Sequence, residues 1–137
     1  MQDIYYRKAK EEGYRARSAY KLLQIDESFH ILDNIKNAVD LCAAPGSWSQ
    51  VLASRTKGII ITLLLSTIIS WVFTYSKSGK ATIVAVDLQE MEPIEGVIQM
   101  KGDITKKETA EEIISYFKGE LADIVICDGA PDGILLC

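Results

Sequence analysis

The sequence has few of the residues that build metal centres. It holds one histidine, His30, and three cysteines, Cys42, Cys127 and Cys137, in 137 residues. A single histidine near a helix end reads as a surface residue and receives no role. Three cysteines are an odd number without ligand-like spacing, so no metal site is expected. Cys42 and Cys127 each close an apolar run, where cysteine behaves as a small hydrophobe. That usage suits a reducing compartment. The first thirty residues are charged throughout and have no signal-peptide core. Nor is the chain a polycation, since its formal net charge is −4.

The charge is unevenly placed. Residues 1–21 carry six basic side chains (Arg7, Lys8, Lys10, Arg15, Arg17, Lys21) against three acids, Asp3, Glu11 and Glu12. The remainder is acidic. A basic end on an acidic body fits an arm that meets a polyanion, and it equally fits a solvated helix. One long hydrophobic run stands out, with no charge between Lys57 and Lys77. As a helix it would extend roughly 28 Å, near the hydrocarbon thickness of a bilayer.

Elsewhere the pattern is that of a small α/β domain. Ala19, Leu22, Leu23 and Phe29 suggest one amphipathic helix over residues 15–29. Ala110, Ile113, Ile114 and Phe117 give a second over residues 105–118, with Thr105 and Glu108 as a capping box and Gly119 as its stop. Between them lie continuous apolar runs at 37–42, 81–88, 96–100 and 122–128. Continuous runs, unlike alternating ones, fit strands covered on both faces. Alternation of strands and helices argues for a parallel sheet, whose ligands bind at the carboxyl ends of the strands. Asp40, Asp87 and Asp128 each stand at such an end.

The segment VDLCAAPGSWSQVLA reads as strand, tight loop and helix. Gly46 is its only glycine, so this is not the three-glycine pyrophosphate loop of dinucleotide folds. A ligand without phosphate, held by a loop of small residues whose N–H groups approach closely, fits better. Asp87 is placed to accept from both hydroxyls of a ribose, and Asp103, just after the third strand, from an exocyclic amine.

DLCAAPGSWSQVL, AVDLQEMEPIEGVIQMKGDIT and ADIVICDGAPD, preceded by YYRKAKEEGYRARSAYKLLQID, resemble the FtsJ family of S-adenosylmethionine-dependent RNA ribose 2'-O-methyltransferases. The wording is similar to the eukaryotic branch that acts on the tRNA anticodon loop. The resemblance implies a Rossmann-like methyltransferase sheet of parallel strands flanked by helices. It implies S-adenosylmethionine as cofactor, tRNA as substrate, a protein partner subunit and a cytoplasmic setting, with no metal. Gly46 and Trp48 would lie in the loop at the methionine end of the cofactor. Asp87 would hold the ribose, Asp103 the adenine, and Asp128 would stand beside the reacting centre. Lys21 and Asp128 match the first lysine and the aspartate of the family's Lys-Asp-Lys-Glu catalytic tetrad. The basic N-terminal helix would meet RNA phosphates.

The sequence departs from that family twice. No residue matches the second lysine or the glutamate, and the C-terminal half of the fold is missing from the 1–137 domain. The expectation is a catalytically incomplete chain that binds cofactor weakly. Its fourth strand would become an uncovered edge, giving a marginal or aggregation-prone product. The second departure is an apolar insert at about 58–78, where the family has a short connection. Were it to span a bilayer, Gly46 and Asp87 would lie on opposite sides and could not share a ligand. A membrane role is therefore disfavoured against a translated intron or a helix extension. The alternatives are a non-catalytic cofactor- or partner-binding fragment, and a membrane-anchored protein with a vestigial domain.

Overall fold

The computed structural model describes residues 3–56 and 81–129. The apolar insert at 58–78 and Cys137 lie outside them. Four helices and four strands follow in the order α1 (Ile4–Glu11), α2 (Ala19–Phe29), β1 (Asn37–Leu41), α3 (Ser47–Arg55), β2 (Thr82–Asp87), β3 (Val97–Lys101), α4 (Lys107–Tyr116) and β4 (Ile124–Cys127).

The strands form one sheet in the order β3-β2-β1-β4, every pair parallel. The expected parallel α/β architecture is therefore present. β1 lies between β2 and β4, pairing Val39 with Val84 on one side and with Val125 on the other. From β1 the chain winds outward through β2 to β3, then returns to place β4 on the opposite side of β1. Such a reversal opens a crevice beyond the carboxyl ends of β1 and β4, where ligands of open α/β sheets bind.

Successive strand residues face opposite sides, and the core divides accordingly. Ala38 and Ile83 pack with Ala19 and Leu22 of α2 and Val51 and Leu52 of α3. Val39, Val84 and Val86 pack with Phe117 and with Ile113 and Tyr116 of α4 on the other face. Two faces under cover explain why β1 and β2 read as unbroken apolar runs.

Several helix details differ from the sequence reading. α4 begins at Lys107 without a side-chain cap, because the Thr105 hydroxyl donates instead to Asp103 Oδ1 at 2.7 Å. The capping box does not form. The buried stripe of α4 is Thr109, Ile113, Tyr116 and Phe117, while Ala110 and Ile114 face outward. Thr109 is drawn inward by its close approach to Gly102. In α2, Phe29 is exposed and Asp26 is buried instead. Asp26 Oδ1 accepts the Leu32 N–H at 2.9 Å, fastening the chain after the helix. Cys127 is exposed on β4, which with β3 forms the edges of the sheet among the described residues, and Val125 on the same strand is also exposed.

Candidate functional site at the switch point

The loop after β1 turns sharply. Cys42 takes a positive φ, the Ala44–Pro45 peptide is cis, and Gly46 sits at φ 104° as the N-cap of α3. Three of its backbone donors are engaged within the protein. Ala43 N–H reaches Val86 O at 3.1 Å, Gly46 N–H reaches Ala43 O at 2.6 Å, and Ala44 N–H reaches Asp87 Oδ2 at 2.9 Å. These three bonds give the small-residue loop a fixed contour. Gly46 itself faces inward: a methyl on its α-carbon would lie 2.8 Å from Ile94 Cδ1 and 3.0 Å from Arg15 Nη1.

Asp87 ends β2 and ties two loops together. Its Oδ2 holds Ala44 and its Oδ1 accepts the Gln89 N–H at 2.9 Å. A carboxylate carries about four acceptor sites, so lone pairs remain for hydroxyl donors. Asp128 follows β4, and its Oδ1 lies 3.0 Å from Lys21 Nζ on α2. Beneath them on β1, Asp40 is 1 % exposed and accepts from the buried Ser49 hydroxyl of α3. Burial pushes the Asp40 carboxyl up to about 6, helped by the charges of Asp128 and Asp87 and opposed by Ser49.

A cavity of about 640 Å³ opens at the switch point, within the range of small-molecule sites. Its lining includes Ala44, Pro45, Asp87, Glu90, Glu92 and Asp128, with Arg15 as the one basic side chain among the described residues. An acidic wall of this kind disfavours a phosphate and suits a ligand bearing positive charge.

The sequence-derived residues are not all brought to this cavity. Asp87 and Asp128 line it and Lys21 reaches it through Asp128. Gly46 stands beside it, packed under Arg15 and Ile94. Trp48 lies in the first turn of α3, outside the loop, and its indole N–H donates to Ser18 O at 2.8 Å. Asp103 stands at the same end of the sheet, two strands from β1 and outside the cavity lining. Its carboxyl is held below the ordinary aspartate value by the Thr105 hydroxyl and then by the Thr105 N–H. Asp40 and Arg15 were missed as site residues. Asp40 had a signal, its place at a strand end, whereas Arg15 was counted only as charge.

The sequence profile described as FtsJ-like methyltransferase matches residues 14–134. The chain belongs to that family. Among relatives of this FtsJ-like chain, a tRNA (guanosine(34)-2'-O)-methyltransferase of Drosophila melanogaster is 55% identical over 130 residues, covering 95% of this chain and 37% of the fly protein. A tRNA (cytidine(32)/guanosine(34)-2'-O)-methyltransferase of Mus musculus is 54% identical, covering 95% of this chain and 34% of its own length. The chain therefore spans little more than a third of these relatives. A Plasmodium falciparum structure solved under the name ribosomal RNA methyltransferase superposes with a TM-score of 0.65 at 28% identity, covering 88% of this chain and 59% of that one. Among the described residues, no cluster of His, Cys, Asp or Glu could hold a metal ion, and no helix is long and apolar enough to cross a membrane.

Proposed function

We propose that this FtsJ-like domain binds S-adenosylmethionine at the switch-point cavity and belongs to an enzyme that methylates ribose 2'-hydroxyls of the tRNA anticodon loop. The observation that carries the reading is the Lys21–Asp128 pair, 3.0 Å apart, with Asp128 on the wall of an acidic cavity. The names of the relatives support tRNA as the substrate class, and a cytoplasmic setting and an accessory protein partner belong to the same proposal.

The residues fit such a cofactor. Asp87 would accept from its ribose hydroxyls, and the Ala44–Pro45 wall would flank its amino-acid end. Gly46 and Trp48 would support that end by shaping the loop and the first turn of α3, and Asp103 would serve the adenine. S-adenosylmethionine supplies a methyl group on a positively charged sulfur, which an acidic wall favours. Lys21 is exposed and held on a carboxylate, so its ammonium orients the substrate beside Asp128; the ribose proton requires a separate base. No residue of this sequence matches the family's second lysine or its glutamate. The residues present accordingly support cofactor binding, and the ribose proton needs a base beyond them.

The test is equilibrium titration of the purified chain with S-adenosylmethionine, paired with a methyl-incorporation assay on unmodified tRNA. Saturable binding without incorporation is expected. Absence of binding overturns the assignment of the cavity, and incorporation abolished by Lys21→Ala overturns the catalytic incompleteness.

A further inference from the structure

Arg15 belongs to the basic N-terminal segment, yet its guanidinium is engaged by backbone carbonyls of the protein itself. Nη1 donates to Pro45 O at 3.0 Å and to Glu92 O at 2.7 Å, and Nη2 donates to Pro93 O at 3.0 Å. The first carbonyl belongs to the β1–α3 loop, and the other two to the β2–β3 connection. The backbone of Arg15 is fixed as well. Its N–H donates to Gln50 Oε1 at 2.9 Å, and Gln50 Nε2 donates to Gly13 O at 3.0 Å. Arg15 is thus anchored on α3 at one end and bridges two loops at the other.

Those loops supply much of the cavity wall: Ala44 and Pro45 from one, Gln89 to Glu92 from the other. Three carbonyl oxygens converge on the guanidinium, and without a cation their dipoles would repel. The connection contributes few buried side chains, Ile94 being partly buried against the core, so its placement depends on polar ties. A planar fork satisfies three acceptors in fixed directions, which a lysine ammonium on a flexible stem does not reproduce.

We propose that Arg15 is a positioning residue of the cofactor site: its guanidinium clamps the β2–β3 connection onto the β1–α3 loop and so sets the shape of the cavity. Its positive charge serves these carbonyls and not RNA phosphate. The proposal rests on the reading that the cavity takes S-adenosylmethionine.

The experiment compares the full chain with Arg15→Lys and Arg15→Ala. Binding is measured to S-adenosylhomocysteine and, separately, to an unmodified tRNA transcript, with hydrogen–deuterium exchange on each protein. Arg15→Lys should weaken S-adenosylhomocysteine binding by at least about tenfold, the scale of removing one charge-assisted hydrogen bond. Its tRNA affinity should stay within about twofold, since a lysine keeps the charge. Exchange should accelerate in residues 88–96 and stay unchanged in β1 and β2. Added guanidinium, but not ammonium, should restore binding to Arg15→Ala. Unchanged S-adenosylhomocysteine affinity in Arg15→Lys overturns the clamp, as does faster exchange throughout the sheet. A selective loss of tRNA affinity with a shallower salt dependence assigns Arg15 to RNA instead. If the unaltered chain fails to bind S-adenosylhomocysteine, the cavity assignment itself falls.

Discussion

Lys21 Nζ and Asp128 Oδ1 stand 3.0 Å apart although 107 residues separate them in the chain. The ion pair joins α2 to the end of β4 across the crevice. Two-thirds of the Lys21 side chain is exposed against a quarter of Asp128, so the pair is solvated on one side. Exposed ion pairs contribute at most about 1 kcal/mol. Lys21→Ala should therefore leave the unfolding free energy within about 1 kcal/mol of the parent, as urea denaturation of the two proteins would read.

The same pair separates two roles. Asp128 lines the cavity and Lys21 does not. Asp128→Asn should weaken S-adenosylmethionine binding by roughly fivefold or more, the scale of one hydrogen bond to a charged group. Lys21→Ala should change it by less than about twofold. Equal losses in a titration of both variants would remove the distinction.

Asp40 offers a pH signature. Its carboxyl rises from 3.8 to about 6 because β1 buries it beneath α3. The folded state then holds this proton more tightly than the unfolded state. Stability from this group is greatest below the unfolded value near 3.8 and declines as pH climbs toward 6, by roughly 3 kcal/mol in total. Asp40→Asn keeps an oxygen for the Ser49 hydroxyl and cannot ionise. The variant should be more stable than the parent above pH 6, and the gap should close as pH approaches 4. Urea unfolding of both proteins across that window reads the difference directly. A gap that does not vary with pH would falsify the buried-acid account.

Gly46 tests the packing under Arg15. Its φ of 104° is poorly tolerated by other residues, and a Cβ there would press Ile94 Cδ1 at 2.8 Å and Arg15 Nη1 at 3.0 Å. Gly46→Ala should cost about 1–3 kcal/mol through backbone strain and should weaken cofactor binding by displacing both side chains. Urea midpoints and a cofactor titration check the two effects. A stable variant with unchanged affinity would mean that the loop yields freely at this point.

The legible and illegible parts of this protein divide along physical lines. β1 and β2 could be read because both faces are covered, which leaves an unbroken apolar run in the sequence. Asp87 and Asp128 could be read as acids at strand ends facing a crevice. The face of α4 was read one residue away because Thr109, a polar residue by type, packs on Gly102 while Ile114 faces outward. The Thr105 cap failed because Asp103, two residues earlier, competes for the same hydroxyl. Arg15 was opaque for a different reason. Its acceptors are backbone carbonyls 30, 77 and 78 residues away, and carbonyls carry no sequence signal.

That reassignment changes where RNA binding is expected. Arg15 is spent on carbonyls and Arg17 pairs with Asp3. Arg7, Lys8 and Lys10 remain exposed on α1, Lys8 lying 5.1 Å from the Tyr20 ring centre. Phosphate binding by such residues releases counterions, so affinity falls with salt in proportion to the number of phosphates neutralised. The combined Arg7→Ala and Lys10→Ala variant should weaken tRNA binding at low salt. It should also lower the slope of log affinity against log salt by about one for each phosphate that is no longer neutralised. S-adenosylmethionine binding should be unaffected, because α1 contributes nothing to the cavity lining. Filter binding of tRNA between low and moderate salt decides the matter. An unchanged slope would move the RNA surface off α1.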